Sequence, residues 1–278
     1  MFLELAELGL TLGTRAFSEG GKARTATQRQ LSKLRNKGDL QIAIFGSGGV
    51  GKTTLANLLI GQSRLGDIPA QYKESPGIEK FTLPGNLACQ LLVAPGQPEA
   101  RASQWPELYR LLSKGKTRLI INVVAFGHHA VQGSFRDTPI GTQTFQNADT
   151  FHIAFTNNKR VEEIKLLEEL FPRLCDAPDP LSMITLVTKQ DLWWTERNSV
   201  KEFYEKGAYN LVIEQIRQKR GENNFRHIYW SASLGILNYQ TDRSELLHPN
   251  SEGYDQLLQQ GNYSRLVESI LSLTKEGK

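Results

Sequence analysis

Apolar residues cluster in six short runs, Leu40–Phe45, Ile78–Leu83, Leu87–Val93, Arg118–Phe126, Met183–Thr188 and Arg226–Trp230, each of strand length. Between and beyond them, Lys52–Gly61, Trp105–Ser113, Lys159–Leu174, Val200–Arg220 and Tyr254–Lys275 read as helices. Strands interleaved with helices predict an α/β fold: a mostly parallel sheet covered on both faces. The second and third runs are the exception. Only Pro84-Gly85-Asn86 separates them, and so short a turn joins antiparallel strands.

Two stretches exceed what such a sheet needs. Gly127–Asn157, rich in Gly, Thr, Gln and His, is too long for a plain connection, and Thr138–Phe155 alternates enough to predict a hairpin. Asp191–Asn224 opens with Leu192-Trp193-Trp194 and continues as one long helix. Ahead of the first strand, residues 1–17 are apolar with little charge and read as a short packing helix, without the basic start and cleavage pattern of a secretory signal. Thr25–Asn36 reads as a polar, basic helix. The division expected is an N-terminal segment, 1–38, and a body, 39–278, with insertions near 127–157 and 192–224. No internal repeat is visible.

Charge refines this division. The chain of 278 residues carries a net charge of +4, and residues 1–38 hold seven basic side chains against three acidic ones, so the body nets zero. A neutral body gives no reason to expect nucleic acid. The basic segment suits an anionic membrane surface, an acidic partner or a partner helix, or is a solvated leader. Cys89 and Cys175 stand far apart with no CxxC partner, so neither a disulfide framework nor a zinc cluster is expected, and a reducing, cytoplasmic setting fits. No apolar run approaches the length of a membrane span.

The chemistry concentrates at strand ends. Gly46-Ser47-Gly48-Gly49-Val50-Gly51-Lys52-Thr53-Thr54 follows the first strand and opens the first helix, the setting a phosphate-binding loop requires. Its glycines let successive amides curl round a phosphate, Lys52 reaches the β/γ oxygens, and the Thr53 hydroxyl is placed to ligate Mg²⁺. Thr188-Lys189-Gln190-Asp191 closes the fifth run, at the carboxyl edge where ligands gather in such sheets. A carboxylate there accepts two hydrogen bonds from guanine N1–H and its amino group, which adenine does not offer, and the Lys189 stem lies along the base. Ser231-Ala232-Ser233 ends the next strand and is placed to present a backbone N–H to guanine O6.

In motif order the chain resembles the Ras-like small GTPases, within the P-loop GTPase class, from residue 40 to about 275. GSGGVGKT matches that family's phosphate loop, TKQD its NKxD motif, and SAS its SAK or SAL motif. The resemblance implies a three-layer fold with a six-stranded sheet, one strand antiparallel. It further implies a switch that binds GTP and GDP, hydrolyses GTP with Mg²⁺ and meets a protein effector or regulator. Ser75-Pro76-Gly77 is similar to the switch I motif and makes Ser75 a second metal ligand, with Thr82 as the rival hydroxyl. Ala94-Pro95-Gly96-Gln97-Pro98-Glu99 resembles switch II, which casts Gln97 as the residue orienting the attacking water and Gly96 as an amide donor to the γ-phosphate. The sequence departs from the family at Val93, where an aspartate ordinarily steadies the Mg²⁺ shell. Hydrolysis is therefore expected to be slow, and a scaffold that binds GTP or GDP with little hydrolysis is the alternative. The pair His128-His129 is expected to be loop polarity, and Trp193 and Trp194 to be packing.

Overall fold

Alternation along the apolar runs places one set of side chains on each face of a sheet. The computed structural model describes residues 40–66, 77–82, 90–113 and 117–275. Its elements run β1 (Leu40–Phe45), α1 (Lys52–Ile60), β2 (Glu79–Thr82), β3 (Gln90–Val93), α2 (Pro98–Leu112), β4 (Thr117–Val124), α3 (Ala148–Asp176) and β5 (Leu181–Val187). They continue with α4 (Gln190–Trp193), α5 (Arg197–Glu205), α6 (Ala208–Arg220), β6 (Phe225–Ser231), β7 (Tyr239–Gln240), β8 (Leu246–His248) and α7 (Gln256–Lys275). The six-stranded sheet has the order β2-β3-β1-β4-β5-β6, parallel throughout except for β2 against β3.

Ile42 and Ile44 of β1, Leu91 and Val93 of β3, and Leu119, Ile121 and Val123 of β4 point to one side, where α1 and α7 supply Leu55, Leu59, Leu266 and Ile270. Ala43, Phe45, Leu92, Ile120 and Val124 point to the other, against Trp105 and Leu108 of α2, Leu166 and Leu170 of α3, and Ile213 of α6. The chain leaves β1 toward the first face and β3 toward the second. Connections therefore diverge at the carboxyl end of β1, and a crevice opens there.

The insertions depart from their sequence reading. Thr138–Phe155 is not a hairpin: one bridge, Ile140 with Gln143, precedes α3, which begins at Ala148 because the Asn147 side chain accepts from the amides of Asp149 and Thr150. The long helix expected over Val200–Arg220 is two. It breaks at Gly207, where a Cβ would fall 2.6 Å from the Phe203 carbonyl oxygen. The β7–β8 hairpin has no signal in the apolar pattern, since its strands are two and three residues long. Together with 127–157 it builds a small third core of Val131, Phe135, Phe145, Phe151, Tyr239 and Leu247. Glu245 clasps the two segments, accepting from the Ser134 hydroxyl at 2.8 Å and the Phe135 amide at 3.0 Å. Residues 1–39, Ser75, the turn at 84–86 and Cys89 lie outside the described residues.

A polar ladder crosses the second face. Asn122 Nδ2 donates to Tyr209 Oη at 2.7 Å, Tyr209 Oη meets the Thr185 hydroxyl, and Thr185 meets His227 Nε2 at 2.9 Å. Burial holds the His227 imidazolium pKa down to about 3. Between the unfolded value near 6.5 and this value, the unfolded chain binds the extra proton, so stability falls as pH falls. The melting temperature should drop between pH 7 and pH 5. In His227→Gln, which loses about 1 kcal/mol of that pH-dependent term once the ring's partial exposure is allowed for, the drop should be about 2–4 °C smaller. An identical pH profile in both proteins would remove His227 from the account.

Candidate functional site

The loop from Gly46 to Gly51 turns between β1 and α1 and at two of its glycines runs too close to other backbone for a side chain. Gly46 has φ +141°, and a Cβ on it would lie 2.3 Å from the Val123 carbonyl oxygen of β4. Gly49, at φ +74°, has the backbone nitrogen and Cβ of Ala130 at 2.4 Å from where its own Cβ would stand. Gly51, at φ +99°, is the left-handed residue from which α1 starts. The aligned amides of that first turn face the crevice.

Lys52 is buried at this helix start, and its ammonium donates to the Ser47 carbonyl oxygen at 2.8 Å. Desolvation pulls its pKa down to about 7; the Glu79 carboxylate opposes that shift and the Arg101 guanidinium adds to it. An anion in the loop would restore the charge. Gly96, on the segment after β3, closes the cradle from the other side, for a Cβ there would stand 2.5 Å from Gly48 N and 2.6 Å from Lys52 Nζ. Gln97 is half-buried immediately before α2, and its carbonyl accepts from the Arg101 amide at 2.9 Å. The Thr53 hydroxyl donates to Glu79 Oε2 at 3.1 Å. A hydroxyl and a carboxylate beside an anion cradle form a hard-oxygen donor set that suits Mg²⁺. Among the described residues no three His, Cys, Asp or Glu side chains are grouped to hold a metal by themselves, so the metal's remaining ligands would be phosphate oxygens and water.

The second motif meets the first along the same edge. The Thr188 hydroxyl is buried and bonds to the Val50 carbonyl at 2.8 Å and to that of Val124 at 3.0 Å, which joins β5 to the loop and to β4. Lys189 takes left-handed backbone geometry, and its ammonium lies 5.6 Å from the centre of the Tyr239 ring. Burial lowers its pKa to about 8, against the opposing pull of Asp191 and Glu163. Asp191 is 2% exposed. Its oxygens accept from the Ser233 hydroxyl at 2.5 Å and the Leu237 amide at 3.0 Å, and burial raises its pKa against those two bonds.

Two sequence expectations need correction. The amides of Ala232 and Ser233 do not open toward a base: the first donates to the Val187 carbonyl at 3.1 Å and the second to Tyr254 Oη at 3.3 Å. Ser233 contributes its hydroxyl instead, and the Ser231 hydroxyl accepts from Gln190 Nε2 at 3.0 Å. His128 and His129 are not loop polarity but buried side chains. His129 Nε2 meets Glu163 Oε1 at 2.9 Å, and burial keeps the pKa of both rings below its ordinary value. Trp193 and Trp194 are buried, and the Trp193 indole donates to the Thr188 carbonyl at 2.8 Å.

Glu163 escaped the sequence reading altogether. From α3 it accepts from the amides of Ala125 and Gly127, from His129 and, at 2.6 Å, from the Tyr204 hydroxyl, and so fixes the end of β4 beside the loop. Only its position within a helix of mixed polarity was visible beforehand.

No protein-family model matches the sequence, and no curated protein matches it. Solved structures are similar in fold. The small COPII coat GTPase Sar1 of Encephalitozoon cuniculi, in complex with GDP, aligns at 12% identity with a TM-score of 0.40, over 93% of this chain and 94% of that one. Toc33 from Arabidopsis thaliana, in complex with GDP and Mg²⁺, aligns at 16% identity with a TM-score of 0.41, over 93% and 94%. The mammalian SRP receptor aligns at 17% identity with a TM-score of 0.34, over 70% and 91%. These values are too low to inform the site, which rests on this chain's own strand order and contacts.

Thr188→Val keeps the shape of the side chain and leaves the Val50 and Val124 carbonyls without their hydroxyl donor. It should cost roughly 1–3 kcal/mol, read as a melting temperature several degrees lower. An unchanged melting temperature would show that the loop is held by other means.

Proposed function

We propose that this protein, a P-loop GTPase in fold and in the order of its motifs, binds GTP and GDP and hydrolyses GTP slowly with Mg²⁺, as a molecular switch. One observation carries the reading: the Thr188 hydroxyl binds the phosphate loop at Val50 while Asp191, three residues on, is a buried carboxylate on the same edge. A base on Asp191 and phosphates on Lys52 then belong to one ligand.

In this reading, amides from Gly46 to Thr54 and the Lys52 ammonium hold the phosphates, with Gly96 donating its N–H to the γ-phosphate. Thr53 and Ser75 would hold Mg²⁺, which would supply positive charge against the negative charge developing on the phosphates. Gln97 orients the attacking water. The Asp191 carboxylate accepts from the Ser233 hydroxyl and the Leu237 amide. Its further acceptor capacity matches the paired N–H groups of guanine, and a carboxylate this poorly solvated gains from them. Lys189, over the Tyr239 ring, bounds the base from one side. Val93 favours the second reading, a GTP/GDP-binding scaffold with little hydrolysis.

The body, 39–278, would be the nucleotide domain, with effector or regulator proteins as its partners. The segment 1–37 would supply a peripheral membrane or partner-helix contact. No described helix is long and apolar enough to cross a membrane.

Displacement of a fluorescent GDP by GTP, with ATP as competitor, tests the assignment. GTP should compete and ATP should not, and Lys52→Ala should lose binding of both guanine nucleotides. Asp191→Asn should weaken GTP at least 10-fold while gaining affinity for xanthosine triphosphate, which carries an oxygen in place of the amine. Equal competition by ATP would point to an ATPase instead. Gln97→Leu should abolish Mg²⁺-dependent phosphate release with binding retained; selective binding with no release in the wild type would select the scaffold.

A further inference from the structure

The carboxylate missing from β3 has a counterpart on the neighbouring strand. Glu79 is the cross-strand partner of Val93 in the antiparallel β2–β3 pair. Directly opposed residues on antiparallel strands project to the same face, with Cβ atoms roughly 5 Å apart. Val93 lies in the core on the α1 side of the sheet, so Glu79 extends to that side too, and its Oε2 stands 3.1 Å from the Thr53 hydroxyl at the start of α1. Its charge also acts on the Lys52 ammonium, where it offsets part of the desolvation.

We propose that Glu79 is the carboxylate of the metal shell in this protein, moved one strand outward from the position that Val93 occupies. The proposal rests on the guanine-nucleotide reading above. Its chemistry follows from the direction of the observed bond. The Thr53 hydroxyl spends its proton on Glu79 and keeps its oxygen lone pairs for a cation, so the carboxylate orients the ligand and raises its donor strength. A carboxylate at this place also has the acceptor chemistry for a metal-bound water, several of which Mg²⁺ retains. A glutamate suits β2, where its extra methylene spans the added distance from the outer strand; Val93 in turn fills apolar space against α1 that an aspartate would have left polar. Glu79 is on this view a positioning residue for the metal, and loss of the β3 aspartate is compensated instead of marking decay.

The measurement is the release rate of a fluorescent GDP from the full-length protein as Mg²⁺ is titrated against EDTA, in wild type, Glu79→Gln, Val93→Asp and Glu79→Gln/Val93→Asp, with circular dichroism melts to establish that each is folded. In Glu79→Gln the Mg²⁺ concentration that half-maximally slows release should rise about 10–100-fold, while release in EDTA stays as fast as or slower than wild type, since a negative charge near the phosphates has gone. Val93→Asp in that background should return the midpoint toward wild type, a rescue that a purely structural role for Glu79 would not give. A Glu79→Gln midpoint equal to wild type overturns the proposal and leaves guanine-nucleotide binding standing. A wild type that retains no GDP at any Mg²⁺ concentration overturns both. If Glu79→Gln does not fold, the double variant and Val93→Asp decide: a Val93→Asp midpoint at least 10-fold below wild type would mean that Glu79 does not already supply the carboxylate.

Discussion

The bond from the Thr188 hydroxyl to the Val50 carbonyl holds the glycine loop and the segment that carries Asp191 in one frame. Val50 lies in the glycine loop that starts from β1, and Thr188 ends β5, two strands away across β4. The same hydroxyl reaches the Val124 carbonyl at the end of β4. Buried and short, it makes the ends of three strands a single unit, so the distance between the loop and Asp191 is set by the sheet and not by flexible connections. Gly46 makes this closeness sterically admissible, because β4 passes where any other residue would carry its Cβ.

Around that frame the electrostatics are those of a site awaiting an anion at one end and hydrogen-bond donors at the other. Lys52 is stripped of water and left with a carbonyl and a nearby carboxylate, and Asp191 is buried with a hydroxyl and one amide. Each is costly to hold without a ligand. The opposite signs of the two groups match a phosphate and a paired N–H edge respectively, an asymmetry that one amphipathic nucleotide satisfies.

The insertion at 127–157 is part of this arrangement and not an appendage to it. Its first residues lie on Gly49, its own small core is shared with the β7–β8 hairpin, and Tyr239 from that hairpin donates to the His129 carbonyl while packing under Lys189. Glu163 of α3 gathers the root of the insertion through Gly127 and His129, together with Ala125 after β4 and Tyr204 of α5.

Much of this was legible in the chain. The period of two in the strands, the single short turn at 84–86 and the glycine loop before α1 determined the sheet class, its one antiparallel pair and the glycine-lined turn between β1 and α1, because each is a local property of a few consecutive residues. TKQD and its position at a strand end were local in the same way. What tertiary structure decided lay in contacts between distant segments: Glu79 opposite Val93, Ser233 gripping Asp191 by its side chain, Glu163 collecting the end of β4, and the buried setting of His128 and His129. A glutamate in a short polar strand has no pattern of its own, and the motif that holds Ser233 does not say which of its atoms meets Asp191. Each residue's role is fixed only when register and crossover bring its partner within hydrogen-bond reach, and neither is written in the spacing of the residues that surround it.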